Sequence, residues 1–318
     1  MAPEVAIAVV SWNTRALLDR CLRSLEPESR AGRAEVWVVD NDSADGSADL
    51  VREHFGWVNL IASETNLGFG PAVNRVAELT ETTWMAAANA DVELEADALA
   101  GLLAAAGRHP RSGALAPRLV LPDNSTQHSV HPFPTIPFTL LFNTGLVALI
   151  PSLGDRLCLE GAWNPRRERR VPWAIGAFLL LRRSAWDEVG GFSEAQWMYA
   201  EDLDLGWQLA RLGWRTTFVP AAVVRHHSAA ATSQAWGDDT DARWMSSTYS
   251  WMLRRRGVVR TRAVASLNVA GAGVRLALYA ALTRLKPEQY APQRDAMRRW
   301  LRLHRIGLGP RAELRRRL

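Results

Sequence analysis

Three carboxylates, Glu201, Asp202 and Asp204, lie within four positions of the chain. The residues before them include Trp197 and Tyr199, and such an apolar approach removes water from a neighbouring carboxylate and brings its pKa toward that of a general base. Acids are also favoured in the first turn of a helix by the helix dipole, and the leucine spacing that follows predicts a helix here. The segment therefore predicts either a catalytic base or an ordinary helix start.

Asp91 follows the apolar, strand-like run from Trp84 to Ala88. A carboxylate in this position can hold Mg²⁺ or Mn²⁺, because these ions complete their coordination shell with water and substrate phosphates. His226 and His227 follow a second strand-like run, and a neutral imidazole is a further candidate metal ligand. The alternatives are that Asp91 caps a helix and that the histidine pair is a surface feature or only satisfies local hydrogen bonds.

Asp40 ends another strand-like run and is followed by a polar turn from Asn41 to Ser47. An acid in this position can accept hydrogen bonds from a nucleobase or ribose, although the turn could equally serve only to cap the next helix. Trp173 lies close to Gly176 and Ala177, which suits a sugar face stacked on the indole. A close contact between two elements would need a glycine just as much.

The elements that position these residues alternate between strand-like and helix-like segments in the first half of the chain. The predicted strands are Ala6 to Val10, Val36 to Val39, Val58 to Ala62 and Trp84 to Ala88. This alternation predicts an α/β fold with a parallel sheet and helices on both faces, and ligands of such sheets bind at the carboxyl ends of the strands. After residue 240 the sequence predicts helices.

The positive charge is carried by arginine, with Lys286 as the single lysine, and the formal net charge is +5. Basic residues concentrate in the last quarter of the chain, at Arg254 to Arg256, Arg298, Arg299, Arg302, Arg305 and Arg315 to Arg317. This end favours an anionic membrane surface or a phosphorylated lipid over nucleic acid, because the sequence has neither zinc-ligand spacing nor an aromatic RNA-binding signature. The alternative is a solvated helical face.

Cys21 and Cys158 are the two cysteines of the 318 residues and cannot form a disulfide framework, which favours a reducing, cytoplasmic compartment. The apolar run from Ala6 to Val10 is too short for a signal peptide. A second apolar stretch, Phe138 to Ile150, is shorter than the ~20 residues that span a bilayer. We therefore expect a cytoplasmic protein at the inner face of the plasma membrane, with Phe138 to Ile150 interfacial or buried.

In this order the segments resemble the family 2 glycosyltransferases of the GT-A fold, particularly their bacterial rhamnosyltransferase-like branch. The resemblance spans about residues 5 to 235. It rests on Val9 to Asn13, Val38 to Ser47, Asn66 to Gly70 with Asn74, Asn89 to Val92, Trp173 with Gly176 and Ala177, Gly190 to Phe192, Glu201 to Leu205 and His226. It implies a mostly parallel, Rossmann-like sheet with flanking helices and a helical C-terminal extension.

The resemblance also implies a role for each matching residue. Asp202 would be the catalytic base of an inverting displacement, and Mg²⁺ or Mn²⁺ would be bound by Asp91 and His226. The nucleotide of a nucleotide-diphosphate sugar would contact Ser11, Asn13, Asp40, Asn66 and Asn89. The sugar and acceptor side would be formed by Trp173, Gly176, Ala177, Glu201 and Asp204.

Two positions depart from the family pattern. Asn89 stands where many relatives have Asp, and one fewer carboxylate lowers the expected metal affinity. Many rhamnosyltransferase-like members also have Asn at this position, so the change points toward that branch. Pro172 stands where relatives often have Asp, which bears on acceptor recognition. The branch implies dTDP-rhamnose as the donor and a polyprenyl-linked or other cell-envelope glycan as the acceptor.

The expected domain organisation is a catalytic domain over residues 1–235 and a basic helical region over 236–318. Within the first, residues 1–125 would bind the nucleotide, 130–170 would be an insertion and 171–235 would form the acceptor side. In the second, an apolar face predicts a helix lying in the plane of a membrane surface, or one packed on the catalytic domain or on the second subunit of a homodimer. This face consists of Leu267, Val274, Leu278, Ala281 and Leu285.

Three other functions fit the residues less well. A sugar nucleotidyltransferase needs a basic, glycine-rich triphosphate loop near its start, where this chain has only Arg15. A non-catalytic nucleotide-sugar-binding scaffold is supported only by the missing acid at Asn89. A dinucleotide dehydrogenase is disfavoured because Ser-Trp-Asn-Thr, and not Gly-x-Gly-x-x-Gly, follows the first strand.

Overall fold

The computed structural model describes residues 3–145, 147, 150–227 and 240–310. The strands are β1 Val5–Ser11, β2 Ala34–Asn41, β3 Asn59–Ser63, β4 Trp84–Asn89, β5 Val92–Leu94, β6 Ser112–Val120, β7 Val130–His131, β8 Arg169–Val171, β9 Trp173–Ala174, β10 Phe178–Arg182 and β11 Arg215–His226. The helices are α1 Arg15–Arg30, α2 Ser47–His54, α3 Phe69–Leu79, α4 Ala98–Arg108, α5 Ile136–Asn143, α6 Pro151–Arg156, α7 Arg183–Val189, α8 Glu201–Arg211, α9 Thr240–Arg256, α10 Val258–Leu285 and α11 Pro287–Arg305, followed by a 3₁₀ turn at Ile306–Leu308.

The chain divides into two compact units. The first comprises residues 1–132 and 163–237, and the second comprises residues 133–162 and 238–318. Residues 133–162, expected from the sequence to lie in an insertion of the catalytic domain, therefore group with the C-terminal residues. The predicted boundary at 235/236, the basic residues Arg315 to Arg317 and positions 146, 148 and 149 of the apolar stretch lie outside the described residues.

The first unit is built on a nine-stranded sheet with the strand order β3-β2-β1-β4-β10-β6-β11-β5, in which β8 also pairs with β11. Strands β3, β2, β1 and β4 are parallel neighbours. Their register sets Ser11 beside Asp40 and Val10 beside Asn89, so the carboxyl ends of three strands meet at one edge. The α/β fold and the four predicted strands are confirmed, with the third starting one residue later than expected.

The central strand β1 is buried on both faces. Ala6, Ile7, Ala8 and Val9 have no solvent exposure, because helices cover the sheet on either side. Helix α1 contributes leucines at helical spacing to the same core, as the sequence predicts. Each buried leucine side chain contributes about 1.5–3 kcal/mol relative to an exposed one, so this core fixes the strand ends firmly.

Three antiparallel pairings bring later parts of the chain to the same edge of the sheet. Strand β10 lies between β4 and β6 and runs against both. Strand β11 pairs with β5 so that His226 stands opposite Val92. A separate two-stranded sheet joins β7 to β9, with His131 opposite Trp173.

The second unit is helical, as expected from the sequence after residue 240. Helices α10 and α11 pack on each other and on α9, whose Tyr249 and Trp251 are fully buried. Helix α5 packs on α10, where Arg275 Nη2 donates to Asn143 Oδ1 at 2.7 Å. By length and composition α10 could cross a membrane, a property that was not predicted from the sequence.

Candidate active site

The carboxyl end of β2 carries two buried acceptor atoms that no described residue satisfies. Asp40 is 3% exposed, and its Oδ2 accepts a hydrogen bond from Ser43 N at 3.2 Å while its Oδ1 has no partner. Asn41 donates from Nδ2 to Gly68 O at 3.1 Å, and its Oδ1 likewise has no partner. Buried acceptors are normally hydrogen-bonded, so both oxygens lack a partner that a bound ligand or a water molecule would supply.

Asn13 joins the two loops at this edge. Its backbone N donates to Ser43 Oγ at 2.9 Å, and its Oδ1 accepts from Ala44 N at 2.8 Å. Ser11 Oγ lies 3.1 Å from Thr14 Oγ1. These side chains therefore shape the loops of the crevice, and contacts to a nucleotide remain a prediction for them.

The loop before α3 is fixed against the segment before α8. Asn66 Oδ1 accepts from Gly68 N at 2.9 Å, and Asn66 O accepts from Trp197 Nε1 at 3.2 Å. Gly68 has φ +84°, and a side chain there would collide with the backbone of Trp197. Only glycine allows both the left-handed conformation and this close approach.

Asp91 and His226 lie side by side because β5 pairs with β11. Asp91 O accepts a hydrogen bond from His227 N at 2.9 Å. Asp91 and His226 are both buried, with 7% and 5% exposure. Asp91 Oδ1 stands 3.2 Å from His226 Nε2, and neither atom has a hydrogen-bond partner among the described residues. His226 Nδ1 lies 2.7 Å from Gln127 Oε1.

The described residues include no group of three or more His, Cys, Asp or Glu side chains that could hold a metal ion, but the separation of this pair is compatible with two ligands of a divalent cation. Two ligand atoms at right angles around Mg²⁺, each about 2.1 Å from it, stand about 3.0 Å apart, close to the separation of these two atoms. One carboxylate oxygen and one imidazole nitrogen are also suitable ligand types for Mn²⁺. Both atoms are buried and otherwise unsatisfied, so a cation between them would satisfy both.

Asp202 is held by two backbone N–H groups. Its Oδ2 accepts from Gly176 N at 3.0 Å, and its Oδ1 accepts from Leu203 N at 2.7 Å. Burial nevertheless raises the pKa of the Asp202 carboxyl above its ordinary value. Burial, followed by the negative charge of Asp202, also raises the pKa of Glu201, whose Oε2 has no partner among the described residues.

The backbone before these acids is strained. Tyr199 and Ala200 both have φ +64°, a left-handed conformation that costs a residue with a side chain about 1–3 kcal/mol. The chain then enters α8, with Glu201, Asp202 and Asp204 in its first turn. All three acids therefore lie at a helix start, as the leucine spacing predicts, while the strain and the raised pKa values of Glu201 and Asp202 are more than a helix start requires.

Backbone contacts connect the Asp91 side of the crevice to Asp202. Ala177 O accepts from Asn89 N at 3.0 Å, and the preceding residue, Gly176, donates to Asp202. Residues 176–177 thus lie between Asn89, two positions before Asp91, and Asp202. The segments that carry Asn89, Asp91 and Asp202 are therefore brought together at one edge of the sheet.

Two residues expected on the acceptor side are directed into the protein. Trp173 is buried, donates from Nε1 to Pro132 O at 3.0 Å and lies 4.8 Å from the ring of His131. Asp204 is also buried and accepts from Gln208 Nε2 at 3.1 Å. Packing accounts for these contacts, and stacking of a sugar on Trp173 or shaping of the acceptor side by Asp204 stays a prediction.

Comparison with known families decides the class of protein. A profile described as "Glycosyl transferase family 2" matches residues 6–190, and one described as "Glycosyl transferase family group 2" matches residues 162–301. The chain belongs to glycosyl transferase family 2. Membership excludes the nucleotidyltransferase and dehydrogenase alternatives and confirms an enzyme of the glycosyltransferase class.

Two relatives place this family 2 glycosyltransferase near rhamnosyltransferases. An N-acetylglucosaminyl-diphospho-decaprenol L-rhamnosyltransferase from Mycobacterium tuberculosis is 35% identical over 249 residues, which cover 74% of this chain and 79% of the relative. The rhamnosyltransferase WbbL from Escherichia coli is 34% identical over 91 residues, covering 27% of this chain and 32% of the relative. The rhamnosyltransferase-like character expected from the sequence is confirmed.

Solved structures confirm the GT-A fold of this family 2 member. The mannosyltransferase PcManGT from Pyrobaculum calidifontis, in complex with GDP-Man and Mn²⁺, superposes with a TM-score of 0.60 at 18% identity, covering 96% of this chain and 87% of the other. TarS residues 1–349 from S. aureus superpose with a TM-score of 0.51 at 14% identity, covering 83% and 70%.

Three features of the site were not predicted from the sequence. The sequence places Asn41 in a polar turn, although it lies at the end of the same buried strand as Asp40 and carries the same signal. Gln127 and the left-handed pair at Tyr199 and Ala200 have no comparable sequence signal. They become visible only through contacts or dihedral angles.

Proposed function

We propose that this family 2 glycosyltransferase transfers a sugar with inversion from a nucleotide-diphosphate donor to an acceptor hydroxyl, with Asp202 as the general base. The observation that carries the proposal is the environment of Asp202: a carboxylate held by Gly176 N and Leu203 N whose pKa is raised by burial. A base that is fixed in place and more basic than a free carboxylate is suited to proton abstraction from a hydroxyl.

In the proposed reaction Asp202 accepts the proton of the acceptor hydroxyl. The acceptor oxygen forms a bond to the anomeric carbon while the bond from that carbon to the diphosphate oxygen breaks on the opposite face. The electron pair leaves with the nucleoside diphosphate. Glu201 lies beside the base, and its raised pKa keeps a proton available on its own carboxyl near Asp202.

Asp91 and His226 would hold Mg²⁺ or Mn²⁺. Such an ion supplies positive charge that stabilises the departing diphosphate. Asp40 and Asn41 would meet the nucleoside through their unsatisfied oxygens, with Ser11, Asn13, Asn66 and Asn89 around it. The Mn²⁺ in the PcManGT complex with GDP-Man supports a metal-dependent donor site.

The proposed donor is dTDP-rhamnose and the proposed acceptor is a polyprenyl-diphosphate-linked glycan. The support is the mycobacterial relative, whose name describes L-rhamnosyl transfer to N-acetylglucosaminyl-diphospho-decaprenol, together with the Asn89 pattern. A lipid-linked acceptor would place the reaction at the cytoplasmic face of the membrane.

The second unit offers a surface suited to peripheral membrane contact. Val274, Leu278 and Leu285 on α10 are 72%, 54% and 78% exposed. Arg260 near the start of α10 and Arg284 near its end are exposed too, so an uncharged stripe has cationic ends. Apolar side chains flanked by arginine are typical of helices that lie in an anionic membrane surface.

The proposed function is tested by donor screening followed by a transfer assay. The melting temperature should rise most with dTDP-rhamnose and Mn²⁺ together, because a ligand that binds only the folded state stabilises it. Transfer should then be detected by mass spectrometry with a synthetic N-acetylglucosaminyl-diphospho-polyprenol acceptor. If UDP- or GDP-sugars raise the melting temperature more and are transferred faster than dTDP-rhamnose, rhamnose is rejected as the donor sugar.

A further inference from the structure

The nitrogen of His226 that faces away from Asp91 is in contact with Gln127. Gln127 Oε1 lies 2.7 Å from His226 Nδ1. An amide oxygen only accepts hydrogen bonds, so this contact keeps a proton on Nδ1, and in the neutral imidazole the lone pair is then on Nε2. Nε2 is the atom that stands 3.2 Å from Asp91 Oδ1.

The backbone fixes Gln127 beside His226. Gln127 N donates to Leu119 O at 2.9 Å, and Leu121 N donates to Ser125 O at 2.9 Å, so residues 121–125 form a tight turn after β6. Strand β6 runs parallel to β11, with Leu119 beside Val224. The turn therefore returns the chain along the end of β6 and sets Gln127 next to the last residue of the neighbouring strand.

The turn has its own side-chain contacts, which are independent of Gln127. Ser125 Oγ donates to Asp123 Oδ1 at 2.6 Å. Asn124 has φ +65°, and its Oδ1 accepts from Arg225 Nη1 at 3.2 Å. The turn should therefore keep its shape when the side chain of Gln127 is changed.

We propose that Gln127 is a positioning residue that fixes the tautomer and ring orientation of His226 for metal binding. The inference rests on the proposed metal site of Asp91 and His226. Outer partners of metal-binding histidines hold the ring in the binding orientation, and their loss typically weakens metal affinity 10- to 100-fold. Without an acceptor at Nδ1, the imidazole is free to place its proton on Nε2 and present a hydrogen where the lone pair is needed.

The test is a titration with Mn²⁺ in the presence of dTDP, followed by the electron paramagnetic resonance signal of free Mn²⁺. Gln127→Leu removes the acceptor at similar size and should raise the Mn²⁺ Kd about 10- to 100-fold. Gln127→Glu keeps an acceptor oxygen and should bind Mn²⁺ at least as tightly as the unmodified chain. Asn124→Gly alters the same turn, tolerates the positive φ and should leave the Kd unchanged.

The outcomes separate this inference from the proposed function. Equal Mn²⁺ affinity in the unmodified chain and Gln127→Leu overturns the role of Gln127 alone, as does a Gln127→Glu variant that binds Mn²⁺ tenfold more weakly. If Gln127→Leu and Asn124→Gly weaken Mn²⁺ binding equally, the effect comes from the shape of the turn. This result also overturns the role of Gln127. Failure of the unmodified chain to bind Mn²⁺ overturns the metal site itself. Melting curves of each variant without ligand report folding.

Discussion

The backbone N–H of Gly176 donates to Asp202 Oδ2 at 3.0 Å, so a loop beside β10 fixes the carboxylate at the start of α8. A side chain on Gly176 would come within 3.3 Å of the Phe69 ring and 3.7 Å of Asp202 Cβ. The absence of a side chain at Gly176 therefore lets backbone, Phe69 and carboxylate lie together. The position of the proposed base depends on this contact.

Asp202→Asn should abolish transfer while leaving donor binding nearly intact. An amide has nearly the same shape but cannot accept the proton, and loss of a general base typically costs 10²- to 10⁴-fold in rate. Initial rates of transfer and the Kd of the nucleotide sugar should be measured together. Asp187→Asn, at an exposed position on α7, is the matched control. Undiminished transfer by Asp202→Asn removes the assignment of the base.

The pH profile of kcat/KM should show an acid limb whose midpoint lies above the pKa of about 3.9 of a free aspartic acid. Burial raises the pKa of Asp202, so the carboxyl gains its proton and stops accepting one while the pH is still above that value. Activity therefore falls as the pH falls. Initial rates between pH 4 and 9, at substrate concentrations well below KM, measure the midpoint. A midpoint at or below that of a free carboxyl contradicts the prediction.

Asp91→Asn should weaken donor binding only when metal is present. A neutral amide oxygen is a poorer ligand for Mn²⁺ than a carboxylate, so the part of the donor affinity that depends on metal is reduced. The melting temperature with donor should be recorded with Mn²⁺ and with EDTA. Asp97→Asn, at an exposed position with φ +62° that asparagine tolerates, is the control. If the donor raises the melting temperature of Asp91→Asn and of the unmodified chain equally in Mn²⁺, Asp91 is excluded as a metal ligand.

Glu201→Gln should stabilise the protein more at pH 8 than at pH 5. The pKa of Glu201 is raised in the folded state, so the folded chain holds this proton more tightly than the unfolded chain. The resulting stability is complete below the unfolded pKa and is lost as the pH rises through the folded pKa. The glutamine variant lacks this loss. Denaturant unfolding at pH 5 and pH 8 measures the change in the free energy of unfolding caused by Glu201→Gln. An equal change at the two pH values would disprove the prediction.

Replacement of Val274, Leu278 and Leu285 by serine should reduce flotation with anionic liposomes. The three side chains are exposed, and each apolar group withdrawn from the bilayer surface weakens binding. Leu79→Ser, at an exposed leucine of the first unit, is the control for loss of an apolar surface residue. Unchanged flotation of the triple variant would exclude α10 as the membrane contact surface. If the unmodified chain is a dimer and the triple variant is a monomer, the surface instead binds a second copy of the chain.

The parallel part of the sheet could be predicted because its signal is local. Each strand and the helix after it form a repeating apolar pattern, and the polar residues at the strand ends, such as Asp40 and Asp91, follow directly from it. The position of α8 also follows from leucine spacing. Local periodicity was sufficient wherever an element packs next to its neighbour in sequence.

The remaining parts of the site depend on contacts between distant residues. Nothing near His226 indicates that it pairs with Val92 and reaches Asp91, so only the family resemblance led to that expectation. The turn that brings Gln127 to His226 has no strong sequence signature. The left-handed dihedrals of Tyr199 and Ala200 are likewise imposed by the tertiary structure, since neither residue type prefers them.

The separation of α5 from its partners along the chain has a consequence for synthesis. Asn143 and Arg275 are joined by a hydrogen bond across 132 positions. At the usual speed of translation, roughly 7 to 26 s pass between the appearance of one residue and the other. During that interval Phe138 and Leu141, which are half-buried in the folded protein, emerge without the helix on which α5 will pack. The nascent chain therefore displays apolar residues to chaperones or to a membrane before the second unit can fold.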